Sequence, residues 1–342
     1  AFLGLLAENA RHTDSAIRDA AWDALAKSGV PEAAGVFQQL LGENADDAGA
    51  KELLTNYLYK MALSLRQQGH NEGAGQAYLA IYRNSENAEL RAAALEGIKA
   101  FPVADAYDVV LELLEEGDIS ALPISTMVGV ALNAIAAGRE EEGQKLMDEI
   151  MPRLTTADAV RHAVHAMRTK GPNPEFARAL GYINRWHLVG PFPWSVSEGF
   201  ETVIIGEPDI SLADTYPVDG KDLAWQVYTS DDAAALFNLM GILAAVDNAT
   251  AFAYAEIEVA EGGPAQVRVG SDDGICVWIN GEDVLQINED QGYDIDQNVA
   301  DITLKSGKNA ILVQSTQIAG GWAFTARLTH PDGTPLEFSI IE

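Results

Sequence analysis

The hydrophobic period changes once along this chain, and that change limits what it can fold into. From residue 1 to about 180, apolar residues recur at three- and four-residue spacing among Ala, Leu, Glu and Arg. That is the pattern of helices that each bury one face. The stretch Thr169-Lys-Gly-Pro-Asn-Pro174 breaks it with two prolines and a glycine. Beyond the break, short apolar runs rich in β-branched and aromatic residues alternate with Gly, Pro, Asn and Asp, the mark of strands and turns. The chain therefore reads as an α+β multidomain protein of 342 residues. A helical-repeat domain is expected over residues 1–180 and an antiparallel β-sandwich, built as a jelly roll, over 183–342.

In the first half, Asp14 is the predicted N-cap of a helix that starts at Ser15 and stops at Gly29. The segment Asn87 to Pro102 repeats the design, and Arg18 and Arg91 occupy matching places. Tyr57 to Gly69 and Glu72 to Tyr82 predict an αα-hairpin with small residues at the crossing. Together these segments resemble HEAT repeats, with tetratricopeptide character around residues 57–95, and the resemblance implies an α-solenoid. Such arrays act as spacers or hold a protein partner. His162 and His165 lie one helical turn apart, but a metal site needs three or four ligands. They read as surface histidines.

The net charge is −29 and uneven. From residue 181 onward 25 acidic residues face 6 basic ones, a net of −19; the first 180 residues carry 26 and 16, a net of −10. That field repels nucleic acid and anionic membrane and suits cations, neutral ligands or a saline medium. No apolar run approaches the ~20 residues that span a bilayer. The chain opens inside a helix with no visible signal peptide, so an upstream portion is expected to be missing or processed. The one cysteine, Cys276, excludes an intrachain disulfide and reads as a small core residue.

The expected strands are 184–192, 224–228, 252–260, 265–270, 275–280, 283–287, 298–304, 310–316, 322–329 and 336–341, with a long Pro-, Gly- and Asp-rich excursion over 193–224. The most specific stretch is Val269 to Gly281. Ile275 to Ile279 is a buried strand, and Asn280-Gly281 is the pair a two-residue type I′ hairpin requires, because both positions take φ > 0. Asp272-Asp273-Gly274 puts adjacent carboxylates on the turn before it. Such a pair attracts a hard cation, or it caps its own backbone amides and needs no metal. A second acidic loop follows at 288–298. Its Asp294-x-Asp296-x-Asn298 copies the first ligands of an EF-hand, then fails: Val299 stands where Gly is needed and Lys305 where Glu is needed. This loop is either a solvated acidic hairpin or a partner of the Asp272-Asp273 turn.

The order Trp186-x-Leu-Val-Gly-Pro-Phe192, Ala253-Tyr-Ala255, Gly270-Ser-Asp-Asp-Gly274 to Gly281, Leu304 to Asn309 and Gly320-Gly-Trp-Ala-Phe324 resembles galactose-binding-like jelly rolls of bacterial extracellular polysaccharide-degrading proteins. It is also similar to the lectin domain named for anthrax protective antigen. A helical array followed by such a domain resembles large secreted or periplasmic proteins of planctomycete-like bacteria. The resemblance implies an extracellular, cell-surface or periplasmic location. It also implies calcium held by Asp272 and Asp273 and bridging to a glycan. Asp294 and Asp296 are the further metal candidates. Trp194 and Trp322, beside Gly and Pro turns, and Asn280 are the candidate ligand contacts, because flat aromatic faces stack on sugar rings; packing in the core is the alternative use of both tryptophans, and the commoner one for large aromatics.

No nucleophile elbow, phosphate loop, dinucleotide fingerprint or zinc helix occurs in the sequence, so an enzyme is not expected. The expected function is a non-catalytic glycan-binding module on a helical spacer, calcium-assisted. The alternative is a structural or protein-interaction module of a surface assembly with no sugar binding.

Overall fold

The computed structural model describes residues 2–115, 122–200, 205 and 210–341. The chain divides into two compact units, Ala1–Ile150 and Met151–Glu342.

The first unit is helical. It runs α1 (Phe2–Asn9), α2 (Ser15–Lys27), α3 (Glu32–Glu43), α4 (Ala48–Gln67), α5 (Asn71–Asn84), α6 (Ala88–Ala100), α7 (Tyr107–Glu115), α8 (Ile124–Ala136) and α9 (Glu140–Ile150), with a 3₁₀ turn at Ala104–Ala106. Asp14 caps α2 by accepting from the Ala16 amide, and Asn87 caps α6 by accepting from Glu89 and Leu90. Each satisfies amides that have no partner within the helix. Packing joins helices close in sequence, such as α2 with α4, α4 with α5, and α8 with α9. The core is apolar, with Leu25, Phe37, Leu54, Leu58 and Ile98 shut off from solvent. Arg18 and Arg91 share a role as well as a place. Arg18 lies over the Trp22 ring at 5.2 Å and Arg91 over Tyr82 at 4.5 Å, contacts worth ~0.5–1 kcal/mol where exposed.

The second unit begins with α10 (Ala157–Arg168) and α11 (Pro174–Ala179) and continues into strands β1 (Arg185–Pro193), β2 (Thr215–Val218), β3 (Lys221–Ala224), β4 (Gln226–Thr229) and β5 (Phe237–Asn238). After the short α12 (Leu239–Ile242) come β6 (Ala249–Val259), β7 (Gly263–Asp272), β8 (Ile275–Ile279), β9 (Glu282–Ile287), β10 (Asn298–Leu304), β11 (Gly307–Gln317), β12 (Ala323–Thr329) and β13 (Ser339–Ile340). All pairings are antiparallel among the described residues. One sheet has the order β4-β1-β6-β11-β8-β9 with β13 on β6; a smaller one has the order β10-β7-β12-β5. Trp186 of the first sheet meets Phe324 of the second edge-on at 5.7 Å, so their inner faces share a core. Alternation along the strands supplies it: Ala253, Val277 and Val313 from the large sheet, Val267, Ala326 and Leu328 from the small one.

The outer face of the large sheet is covered too. The β2–β3 hairpin and Trp225 pack Tyr216, Val218 and Leu223 onto Phe252, Tyr254 and Leu312. That hairpin was not legible as strands in the 193–224 excursion, whose residues 201–204 and 206–209 lie outside the described residues.

The two units divide about thirty residues before the boundary expected at 180–183. Ion pairs join the helices between the two boundaries to the sheets, beside the apolar face that α10 buries with Val160, Ala163, Val164 and Met167. Arg161 of α10 makes a two-pronged pair with Asp294 at 2.9 and 2.8 Å, and Arg168 does the same with Asp232 at 2.8 Å for both prongs. The Leu180 carbonyl, just past α11, accepts from Arg327 at 3.2 Å. Residues 181–342 hold only 6 cations, and these helices supply the counter-charges.

Candidate functional site

The turn between β7 and β8 is built so that one carboxylate is consumed and its neighbour is left over. Gly274 makes the turn because nothing larger fits: a Cβ there would lie 2.5 Å from Thr316 Oγ1 and 2.8 Å from the Ile287 carbonyl. The Asp272–Asp273 peptide is cis. The Asp273 amide donates to the Thr316 carbonyl at 3.2 Å, and the Thr316 amide donates to Gly274 at 2.9 Å. These bonds fix the turn against β11. Asp273 is 1% exposed, and its Oδ2 accepts from the amides of Ile318 at 2.6 Å and Ala319 at 3.3 Å. It therefore caps the chain as it leaves β11. Asp272 is half-buried, and its carboxylate accepts no hydrogen bond among the described residues.

Electrostatics separate this turn from an ordinary acidic loop. Burial pushes the Asp272 carboxyl above the usual carboxylate range, and the charge of Asp290 adds to it. Burial raises Asp273 as well. The two amides hold it back, while Asp272 and Asp290 push it further up. The 288–298 loop thus does reach this turn. Gln291 stitches it down, donating to Ser271 Oγ at 2.9 Å and to the Asp273 carbonyl at 3.3 Å. Next to the turn, Thr316 Oγ1 and Gln317 Oε1 are buried without a hydrogen-bond partner among the described residues. Desolvated carboxylates and unsatisfied oxygens are what a hard cation relieves. No three His, Cys, Asp or Glu side chains among the described residues converge into a metal cage.

Asp294 and Asp296 are engaged elsewhere. Asp294 is bound by Arg161 and held below the usual carboxylate range, first by that hydrogen bond. Asp296 is buried against Arg327 at 2.8 Å, with Arg268 at 3.5 Å. The EF-hand-like spacing that suggested them as metal ligands places each against an arginine instead, and a guanidinium excludes a cation from the same oxygens.

The ligand contacts expected from sequence also fall differently. Trp322 is 1% exposed and its Nε1 donates to Ser315 Oγ at 3.1 Å; Trp194 is 5% exposed and its Nε1 donates to Gly199 at 2.8 Å. Neither offers a free ring face. Their indole nitrogens found partners inside, which is how large aromatics are buried. Asn280 has φ 53°, as the type I′ turn demands. Its side chain spans to β11, donating to Asn309 Oδ1 at 2.9 Å and accepting from the Ala310 amide at 3.1 Å. It is a hairpin lock. Sequence reasoning did not single out Gln291, nor the Ile318 and Ala319 amides; no local pattern marks a contact made across two strands.

Of the five tryptophans from residue 181 onward, only Trp278 is not buried, and it is half-buried. Cys276 is fully buried, 3.9 Å from Asp283 Oδ1, and burial drives its thiol far above the ordinary value. His162 is exposed and its Nδ1 lies 2.8 Å from the Asp158 carbonyl.

No family model matches the chain, and no curated protein does. Similar solved structures include the PA14 domain of the antifreeze protein MpAFP, with 22% identity over 25% of this chain and 47% of that one, at a TM-score of 0.22. The PA14 sugar-binding domain from an RTX adhesin shares 18% over 47% and 73%, at 0.23. A β-glucosidase from Kluyveromyces marxianus in complex with glucose shares 15% over 35% and 16%, at 0.25. The chain spans about half the length of the first of these. No described helix is long and apolar enough to cross a membrane.

Proposed function

We propose that the Met151–Glu342 unit is a non-catalytic glycan-binding module in which Asp272 and Asp273 hold calcium, and that the calcium engages sugar hydroxyls. The observation that carries this reading is the Asp272 carboxylate. It is half-buried, raised by burial and by Asp290, and without a hydrogen-bond donor among the described residues. A group left in that state costs the fold unless something neutralises it. Calcium takes six to eight oxygens, and this turn fills only part of that number, which leaves room for water and hydroxyls. The helical unit acts as a HEAT-like solenoid spacer, and the sheets as a jelly roll. The whole operates outside the cytoplasm of a bacterium, at the cell surface, in the periplasm or in the medium, where calcium is plentiful.

The test is a glycan array on the full chain, with calcium and with chelator, beside the Asp272→Asn variant. Glycan retained with calcium, released by chelator and lost in the variant supports the reading. Retention that ignores both places any sugar site elsewhere. One observation favours the second reading, a structural or protein-interaction module without sugar binding: Trp194 and Trp322 are buried, so neither supplies a stacking face. No retention of any glycan under either condition would select it.

A further inference from the structure

Two glycines follow β11, and they are glycine for different reasons. Gly320 has φ 89°, a left-handed conformation that glycine adopts without steric cost. Gly321 lies outside that region, so its backbone conformation does not call for glycine. What it lacks is room. A Cβ at Gly321 would lie 2.3 Å from Asp272 Oδ2, 3.0 Å from its Cγ and 3.4 Å from its Oδ1, the three nearest atoms beyond the chain neighbours. The space is taken by the one carboxylate of the turn that accepts no hydrogen bond among the described residues.

Which side would yield to a larger residue follows from what holds each. The segment around Gly321 is tied down on both flanks. The Ile318 and Ala319 amides donate to Asp273 Oδ2 at 2.6 and 3.3 Å, and the Gly320 carbonyl accepts from Gln317 Nε2 at 3.3 Å. The Trp322 carbonyl accepts from the Leu239 amide at 2.8 Å, and the Trp322 side chain is buried on Ser315 Oγ. The Asp272 carboxylate has no such ties and can turn about its side-chain bonds. A methyl group at position 321 therefore turns the carboxylate and leaves the backbone in place.

Orientation decides whether a carboxylate can serve as a ligand. Calcium takes oxygens at about 2.3–2.6 Å, and a ligand group works only within about 0.5 Å of its productive place. We propose that Gly321 is a positioning residue: its missing side chain lets Asp272 keep the orientation in which it takes calcium. This rests on the calcium reading of the turn.

The test is a set of four full-length chains, carrying Gly321→Ala, Asp272→Ala, both or neither. They are melted in chelator and across a calcium titration. Asp272→Ala removes all three atoms that a Cβ at 321 would meet. In chelator, Gly321→Ala should be tolerated worse beside Asp272 than in the Asp272→Ala background, where it only restricts the unfolded chain. Gly320→Ala, whose cost is conformational, should lower the melting temperature equally in both backgrounds. Calcium affinity, read from the rise in melting temperature with calcium, should fall about 10- to 100-fold in Gly321→Ala, the range for residues that orient metal ligands. An equal effect of Gly321→Ala in the two backgrounds, or an affinity unchanged by it in a protein that responds to calcium, would overturn the role of Gly321 and leave the calcium reading standing. A wild type without a calcium response would overturn that reading, and this proposal with it.

Discussion

Arg327 grips Asp296 where neither side chain reaches solvent, their exposures being 0% and 1%. Arg327 stands directly across from Arg268 in the β12–β7 pairing. Two like charges in that position repel. Asp296 resolves the conflict by lying against both, at 2.8 Å from Arg327 Nε and 3.5 Å from Arg268 Nη1. The Leu180 carbonyl accepts from Arg327 Nη1, and the Tyr182 ring lies 5.8 Å from the guanidinium. Strand, loop and helix end meet at one buried ion pair.

Removing one member of that pair should be severe. Asp296→Asn leaves two arginines facing each other without a counter-ion, and breaking a buried pair costs about 3–5 kcal/mol. Arg327→Met alone should cost a similar amount. The double variant Arg327→Met with Asp296→Leu should recover part of the loss, since only Arg268 then lacks its carboxylate and it keeps Thr329 Oγ1 and Gln266 Oε1 as acceptors. Urea unfolding of the second unit gives the three midpoints. A double variant as unstable as the worse single one would mean that the pair itself stabilises.

A chain cut at residue 183 should be less stable than one cut at 151. The shorter piece lacks Arg161, Arg168 and the Leu180 carbonyl, and so strips partners from Asp294, Asp232 and Arg327. Burial alone would raise the Asp232 carboxyl, but Arg168 and the amides of Ala234 and Leu236 hold it below its ordinary value. A lowered carboxylate gives stability that is present above the unfolded value and lost as pH falls through the folded one. Arg168→Ala should therefore destabilise the second unit at neutral pH and lose its effect in acid. Melting curves against pH check both statements.

Much of this was legible in residues whose meaning is local. Asp14 and Asn87 cap helices because a short polar side chain can reach the next amides, and Asn280-Gly281 makes its hairpin because of its own φ angles. The strand 298–304 falls where alternation put it. Partners far along the chain were harder to read: the approach of the 288–298 loop to the Asp272-Asp273 turn was legible, the arginine partners of its own aspartates were not. Asp294 and Asp296 look like cation ligands until Arg161 and Arg327 arrive from 133 and 31 residues away. Trp194 and Trp322 look exposed beside their turns until the chain folds over them. The Asp272-Asp273 turn was found from sequence, but its asymmetry depends on the segment just after β11, whose Ile318 and Ala319 amides donate to Asp273 and not to Asp272.

Cys276 should be inert in the folded protein. It lies in the buried strand β8, and desolvation first, then the charge of Asp283, pushes its thiol up. The thiolate is the reactive form. An aromatic disulfide reagent should label about none of it under native conditions and all of it in denaturant. Rapid native labelling would show that the outer face of the large sheet opens readily.

The turn at Asp272 and Asp273 makes the sharpest prediction, because its sign reverses with calcium. Both carboxyls are raised in the folded state, so the fold holds their protons more tightly than the unfolded chain does. That stability is full below the ordinary carboxylate value, near about 3.9, and is lost as pH rises through the raised folded values. At neutral pH in chelator, the ionised turn works against the fold. Asp272→Asn removes one charge at a residue whose oxygens accept no hydrogen bond among the described residues, so it should raise the melting temperature there and change nothing in strong acid. Asp273→Asn gives up the capping strength of a carboxylate on the Ile318 and Ala319 amides and should gain less or lose. Calcium inverts the order. A cation bound only by the folded state stabilises it, so the wild type should rise with calcium while Asp272→Asn stays flat. Melting curves in chelator and in calcium, at neutral and acid pH, read all of this. A wild type that does not respond to calcium, while Asp272→Asn is stabilised in chelator, would keep the electrostatic account of the turn and remove the metal from it.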